Sequence, residues 1–241
     1  MAATKRFRLL TYNVHRCRGT DRRVVPARIA AIIAATGADV VALQELDVNR
    51  ARTGWVDQAR FLAEALDMAV HFHPAWDLAE ERFGDAVLSR FPMKLVHAAK
   101  LPGHPRGWRA RRGALWVQVE CAGRAVQIIN THLGLVRHER QTQTDALFGP
   151  HWLGHPGCRP PLVLCGDFNS GPRSRIHRRL RESLRDVHRS LTYPTRLPVA
   201  SLDHVFLSAE FVVHHVEVVK TPLTRVASDH YPLLVDLSLP G

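Results

Sequence analysis

The chain has 241 residues, 46% hydrophobic and 23% charged, a globular balance that excludes a disordered or fibrous chain. Lys and Arg number 33 against 22 Asp and Glu, and the net charge of +11 attracts nucleic acid, anionic lipid or phosphorylated substrates. No run approaches the ~18 apolar residues of a membrane span, and Arg6-Phe7-Arg8-Leu9-Leu10 opens the first strand too early for a signal peptide.

Residues 7–13 read as that strand. Residues 24–36 read as a helix: Ile29, Ile32 and Ile33 recur at helical spacing, Pro26 suits the first turn and Gly37 stops it. Residues 39–45 form a buried strand, which completes a strand–helix–strand crossover. Residues 57–68 form a second helix with Phe61, Leu62, Ala65 and Leu66 as its apolar face. Strands follow at 69–73, 84–89, 94–100, 113–121 and 124–131, with Gly123 turning the last hairpin. A helix over 137–153 leads to Leu162-Val163-Leu164-Cys165, a short buried strand bounded by Pro161 and Gly166. A helix near 174–184 and strands at 202–207, 211–219 and 232–238 finish the chain. No linker or internal repeat divides it, so residues 1–241 are expected to form one domain of two packed sheets with helices outside. Cys17, Cys121, Cys158 and Cys165 show no Cys-x-x-Cys pairing, which points to a reducing, cytoplasmic setting.

Six strand-end patches carry chemistry. They are Thr11-Tyr12-Asn13-Val14-His15, Leu43-Gln44-Glu45, Asn130-Thr131-His132-Leu133, Gly166-Asp167-Phe168-Asn169, Leu202-Asp203-His204 and Ser228-Asp229-His230. Any one acid or amide among them serves equally as a turn former or helix cap. The recurrence is what a site at one end of a sheet requires. Asp167 and Asn169, two residues apart, point the same way if the backbone stays extended.

Carboxylates with amide support suit Mg²⁺ or Mn²⁺, which prefer oxygen ligands. Glu45 is the leading metal ligand, because it is a lone acid at the end of a buried strand. Asp167 with Asn169 suits the orientation of a water, and His132 and His230 suit phosphate contact and proton transfer. Asp203 paired with His230 would fix its tautomer and favour imidazolium. His15, His204 and Asp47 read as structural or peripheral. Arginines crowd two stretches, Arg106 to Arg112 around Trp108 and Arg173 to Arg185 after the central loop, part of the latter being solvated helix surface.

In order and over Leu10 to Leu234, these patches resemble the endonuclease/exonuclease/phosphatase superfamily; Gly84-Asp85-Ala86-Val87-Leu88-Ser89-Arg90 adds a further motif. The resemblance implies a four-layer α/β sandwich and Mg²⁺-dependent cleavage of a phosphate ester. It assigns metal binding to Glu45 with Asn13 and Asp229, and water orientation to Asp167 and Asn169. It assigns phosphate contact or acid catalysis to His132, and a His–Asp pair to His230 and Asp203. Arg111-Arg112-Gly113, His132-Leu133-Gly134-Leu135 and Thr192-Tyr193-Pro194 look most like a branch of small cytoplasmic bacterial members, and Arg112 is the expected substrate contact. Asp85 departs from the Asn of many relatives; a carboxylate there repels phosphate unless protonated, paired or turned toward metal. The expected activity is a phosphodiesterase or nuclease acting on nucleic acid. The alternatives are a phospholipid phosphodiesterase or phosphatase, or a basic binding module without turnover.

Overall fold

A computed structural model describes residues 6–103, 111–121 and 123–240. Apolar residues at every second position build strands that pair into two mixed sheets of six. The first sheet runs β11 (Val212–Val218), β12 (Leu233–Ser238), β1 (Arg6–Asn13), β2 (Val40–Val48), β4 (Glu81–Ser89), β3 (Ala69–Leu78). The second runs β5 (Met93–Lys100), β6 (Gly113–Cys121), β7 (Arg124–His132), β8 (Leu162–Asp167), β10 (Asp203–Leu207), β9 (Arg185–Asp186).

Each sheet holds one parallel pair, β1 with β2 and β7 with β8. Parallel neighbours need a crossover, supplied by α1 (Pro26–Thr36) and α3 (Arg137–Leu147). Pro26 opens α1, and Gly37 closes it at φ 61°, a conformation that suits glycine. Asp57 caps α2 (Gln58–Leu66) by accepting from Arg60 N.

The burial pattern gives four layers. Leu10, Tyr12, Val41 and Leu43 of the first sheet pack on Ile29, Ile32 and Ile33 of α1 and Leu62 of α2. Phe7, Leu9, Val40 and Val87 face Val117, Ile128, Val163 and Val205 between the sheets. Trp116, Ile129, Leu164 and Phe206 face Leu147 of α3 and Leu180 of α4 (Arg175–Leu180) on the far side. The α/β sandwich with outer helices is therefore as expected.

One polar residue crosses the middle layer. Fully buried Asn130 donates from Nδ2 to the carbonyls of Leu43 and Ala86, each at 2.9 Å, and accepts from Gln44 Nε2 at 2.8 Å. Each of these bonds joins one sheet to the other.

Several bounds differ from the sequence reading. β3 and β4 extend to Leu78 and Glu81 as one hairpin. Gly84 permits this, because a Cβ there would lie 1.9 Å from the His73 carbonyl oxygen. The helix expected to reach residue 153 ends at Leu147, ahead of Gly149-Pro150. The helix expected to 184 ends at Leu180, because Arg185 and Asp186 extend to pair with β10. A short α5 (Pro222–Ala227), capped by Thr221 and Thr224, lies where no element was expected. All four cysteines are buried and unpaired, and among the described residues no helix is long and apolar enough to cross a membrane.

Candidate active site

Strand alternation carries the inner rows past the apolar core. Phe7 and Leu9 of β1 continue into Asn13, and Ile128 of β7 continues through Asn130 into His132. Val163 and Cys165 of β8 continue into Asp167, and Asp203 stands at the start of β10, ahead of inward Val205. Register sets His132 and Asp203 on either side of Asp167. The chemistry therefore gathers in the seam between the sheets, at one end.

Asn13 Nδ2 donates to Asp167 Oδ2 at 2.9 Å across the seam, and Asn13 Oδ1 accepts from His15 N at 3.0 Å. His230 Nδ1 donates to Asp203 Oδ2 at 2.9 Å, and its Nε2 lies 3.7 Å from Asp167 Oδ2. Ser228 fixes that turn: its hydroxyl donates to the Asn13 carbonyl at 2.8 Å and accepts from His230 N at 3.2 Å. The Tyr193 ring packs 4.7 Å from the His230 ring. Thr192 Oγ1 accepts from the backbone of Leu202 and Asp203 at 3.2 and 3.4 Å.

Asn169 reaches Asp167 by another route than the one expected. Its φ of 47° breaks the extended backbone, and the turn is closed by Asn169 N donating to Asp167 Oδ1 at 2.9 Å. Asn169 Nδ2 then lies 2.9 Å from the Leu133 carbonyl and 3.1 Å from His132 Nε2. His132 Nε2 is also 3.3 Å from Asp167 Oδ2. Glu45 likewise does not end its strand. It sits at φ 62° in a bulge between Leu43 and Leu46, and β2 runs on to Val48.

Burial opposes charge on His230, but Asp203 and Asp167 outweigh it and raise its pKa to about 10. Burial lifts Asp167 to about 6, against the pull of His230. Burial, then Arg112 and His230, hold His132 well below the usual histidine range, so it is neutral. Burial lifts Asp85 to about 8 despite Arg112 nearby. At neutral pH that carboxyl holds its proton in the absence of a cation, which answers the repulsion its charge would have caused.

Glu45 and Asp229 open into one cleft of about 470 Å³, walled by His15, Trp76, Phe83 and, among the described residues, five arginines: Arg16, Arg50, Arg52, Arg111 and Arg112. Arg50 stacks on Trp76 at 4.3 Å, and Arg52 forks onto buried Asp47 at 2.7 Å through both nitrogens. Arg112 Nε donates to the Leu133 carbonyl at 3.2 Å. Arg106 and Arg109, expected in the same cluster, lie outside the described residues.

Two carboxylates and an amide oxygen, without sulfur, fit a hard divalent cation. Asp167, Asp203 and His230 also bring one atom each within 4.8 Å of one another, with Asp203 and His230 Nδ1 joined in a hydrogen bond of 2.9 Å. A model of the Endonuclease/Exonuclease/phosphatase family matches residues 10–230. The chain belongs to this family. It shares 26% identity with the endonuclease/exonuclease/phosphatase structure from Beutenbergia cavernae, covering 98% of this chain and 72% of that one at a TM-score of 0.77. The human Nocturnin catalytic domain with a bound sulfate anion is 21% identical, over 98% and 94% of the two chains, with a TM-score of 0.76. ANGEL2, a 2′,3′-cyclic phosphatase in complex with adenosine-2′,3′-vanadate, is 16% identical over 99% and 97%, with a TM-score of 0.74. Comparison with curated proteins gives no match. Membership supports phosphoester hydrolysis, and divalent-metal dependence is typical of the family.

The structure brings Asn13, His132, Asp167 and Asn169 into one hydrogen-bonded group, with the His230–Asp203 pair 3.7 Å away at Asp167. Glu45, Asp229 and Arg112 stand together around the adjoining cleft. Ser228 and Tyr193, which flank motif residues in sequence, join the site through their contacts with His230. Trp76 and Phe83 had no signal, because only the β3–β4 hairpin carries them to the rim.

Proposed function

We propose that this protein is a Mg²⁺- or Mn²⁺-dependent phosphodiesterase acting on nucleic acid, with residues 1–241 working as one domain. The observation that carries the reading is the contact across the seam, in which Asp203 holds His230 Nδ1 at 2.9 Å while Nε2 faces Asp167 at 3.7 Å. Held this way, His230 is a fixed cation beside the phosphoryl group. Asp167, its basicity raised by burial, takes a proton from the attacking water. Asn13 and Asn169 keep its two oxygens oriented. His132, neutral here, contacts the phosphate without supplying the proton its place in the motif leads one to expect, and Arg112 is the phosphate contact in the cleft. Glu45, with Asp229 and Asn13, would hold the cation, which when bound supplies a Lewis acid for charge on the phosphoryl oxygens.

Nucleic acid is favoured by charge. Beyond the cleft arginines, Arg137, Arg140, Arg173, Arg175, Arg178 and Arg179 line a groove of about 280 Å³ between α3 and α4. Such a track binds a chain of phosphates. The test is hydrolysis of DNA, RNA, an aryl phosphodiester and phospholipid vesicles with Mg²⁺, Mn²⁺ or EDTA. Metal-dependent turnover of nucleic acid is expected, falling about 10³-fold in Glu45→Gln and in His230→Gln. Full activity in both variants overturns the mechanism. Turnover of phospholipid alone overturns the substrate, and salt-sensitive nucleic-acid binding without turnover leaves a binding module.

A further inference from the structure

β10 serves a second polar cluster. Alternation aims Asp203 into the seam and the next residue, His204, into the layer beneath α4, beside Phe206. There it meets His177 of α4 and Asp186 of β9. His177 Nε2 is 2.9 Å from Asp186 Oδ2, and His204 Nδ1 is 3.7 Å from Asp186 Oδ1. The three side chains are 2%, 3% and 0% exposed, in the order His177, Asp186, His204. One donor atom from each lies within 4.8 Å of the other two.

These atoms are close but poorly directed toward one another. The close His177–Asp186 approach lacks the direction of a hydrogen bond, and both His177 nitrogens, His204 Nδ1 and Asp186 Oδ1 have no hydrogen-bond partner. The proton on His204 is placed by its other nitrogen: Nε2 lies 3.1 Å from the Ser170 carbonyl and 3.2 Å from that of Ser201, so Nε2 donates. In the neutral imidazole this leaves the Nδ1 lone pair facing the cluster. A metal-bound histidine commonly gives its second N–H to a backbone carbonyl in this way. Neighbouring His188 is saturated, with Nε2 2.7 Å from the Asp203 carbonyl and Nδ1 accepting from Ser190 N at 3.1 Å, so it is no ligand.

We propose that His177, Asp186 and His204 form a structural site for a transition-metal ion, separate from the catalytic cleft. Two buried imidazoles and one buried carboxylate suit Zn²⁺ and do not suit Mg²⁺ or Ca²⁺, which take oxygen ligands. The ion ties α4 and β9 to β10. Through His204 it steadies the Ser170 carbonyl, one residue beyond Asn169, and the strand position of Asp203.

The test is zinc content by mass spectrometry after loading the full chain with Zn²⁺ and dialysing against metal-free buffer. A single zinc per chain is expected in the wild type and in Glu45→Gln, and none in His177→Gln or Asp186→Asn, with circular dichroism checking each fold. Where neither variant folds, Co²⁺ in the Glu45→Gln chain decides: imidazole N–H proton resonances shifted by the paramagnetic ion report His ligation at this site. Chelation should lower the melting temperature of wild type and Glu45→Gln alike. Zinc lost in Glu45→Gln but kept in Asp186→Asn assigns the ion to the catalytic cleft and overturns the proposal. So does a wild type that retains no zinc and shows no shifted resonances, which means a protonated histidine–aspartate pair occupies the pocket.

Discussion

The two sheets have the same plan. Read as β11-β12-β1-β2-β4-β3 and β5-β6-β7-β8-β10-β9, they match strand for strand, each with a central parallel pair. The crossover helices α1 and α3 also correspond. At the seam the equivalent positions carry different residues. Asn13 pairs with Gln44 in the first sheet, His132 with Asp167 in the second. Asp85, beside the β2 bulge, corresponds to Asp203, beside Asp167. One half presents amides and a protonated acid, the other a histidine and two acids engaged with an imidazolium. The lesson is that a shared scaffold sets where side chains stand, while each residue's charge decides what its half does. In our proposal the first half supplies cation ligands and the second handles protons.

The largest break in that comparison should come from equivalent positions. Asp167→Asn should lower turnover about 10³-fold while leaving the melting temperature unchanged or higher, because it removes a buried acid. Gln44→Ala, the matching change in the first sheet, should keep far more activity and lose stability. Steady-state kinetics beside thermal melts separates the two, and equal losses of activity would remove the division of labour. A smaller effect is expected at the link between halves. Asn130→Ala takes its side-chain donor from the Leu43 and Ala86 carbonyls, while Gln44 Nε2 keeps Thr11 Oγ1 and the Ala42 carbonyl, and should cost about 2 kcal/mol in denaturant unfolding. The smallest concerns Asp85. In metal-free protein its carboxyl sits at about 8 against an ordinary 3.8, so the native state holds the proton more tightly. That contribution is complete below the ordinary value and is lost as pH rises through the folded one. Asp85→Asn should therefore gain in melting temperature over wild type across that window, with turnover at pH 7 little changed. A pH-independent difference between the two would show that Asp85 is ionised in the fold.

Much of this was open to a reading of the chain. Apolar runs ending in Asn13, His132 and Asp167 located the strand ends and the polar end of the seam together, because period-2 alternation places the last polar residue on the face of the last apolar one. Pro26 and Gly37 bounded α1 through local backbone preference alone. What escaped depends on contacts distant in sequence. The bulge at Glu45 answers to Asp85 forty residues on, whose Oδ1 accepts from Glu45 N at 3.4 Å. Asn169 reaches Asp167 by a left-handed turn that no pattern announces. His204, read as structural or peripheral, gains its particular partners only once α4 and β9 close over it. The doubled plan left no sequence repeat, since alternation constrains polarity and little else.

The buried Asn130 also has a mechanical consequence. All three of its cross-sheet bonds are made in a dry interior, so sliding one sheet past the other would break them together. Shear is thus an unavailable motion for the floor of the cleft. Substrates of different girth must be met by the rim, chiefly the β3–β4 hairpin with Trp76 and the turn bearing Arg50 and Arg52. A change of preference can accordingly be sought by recasting those outer segments, with the jaws themselves left fixed.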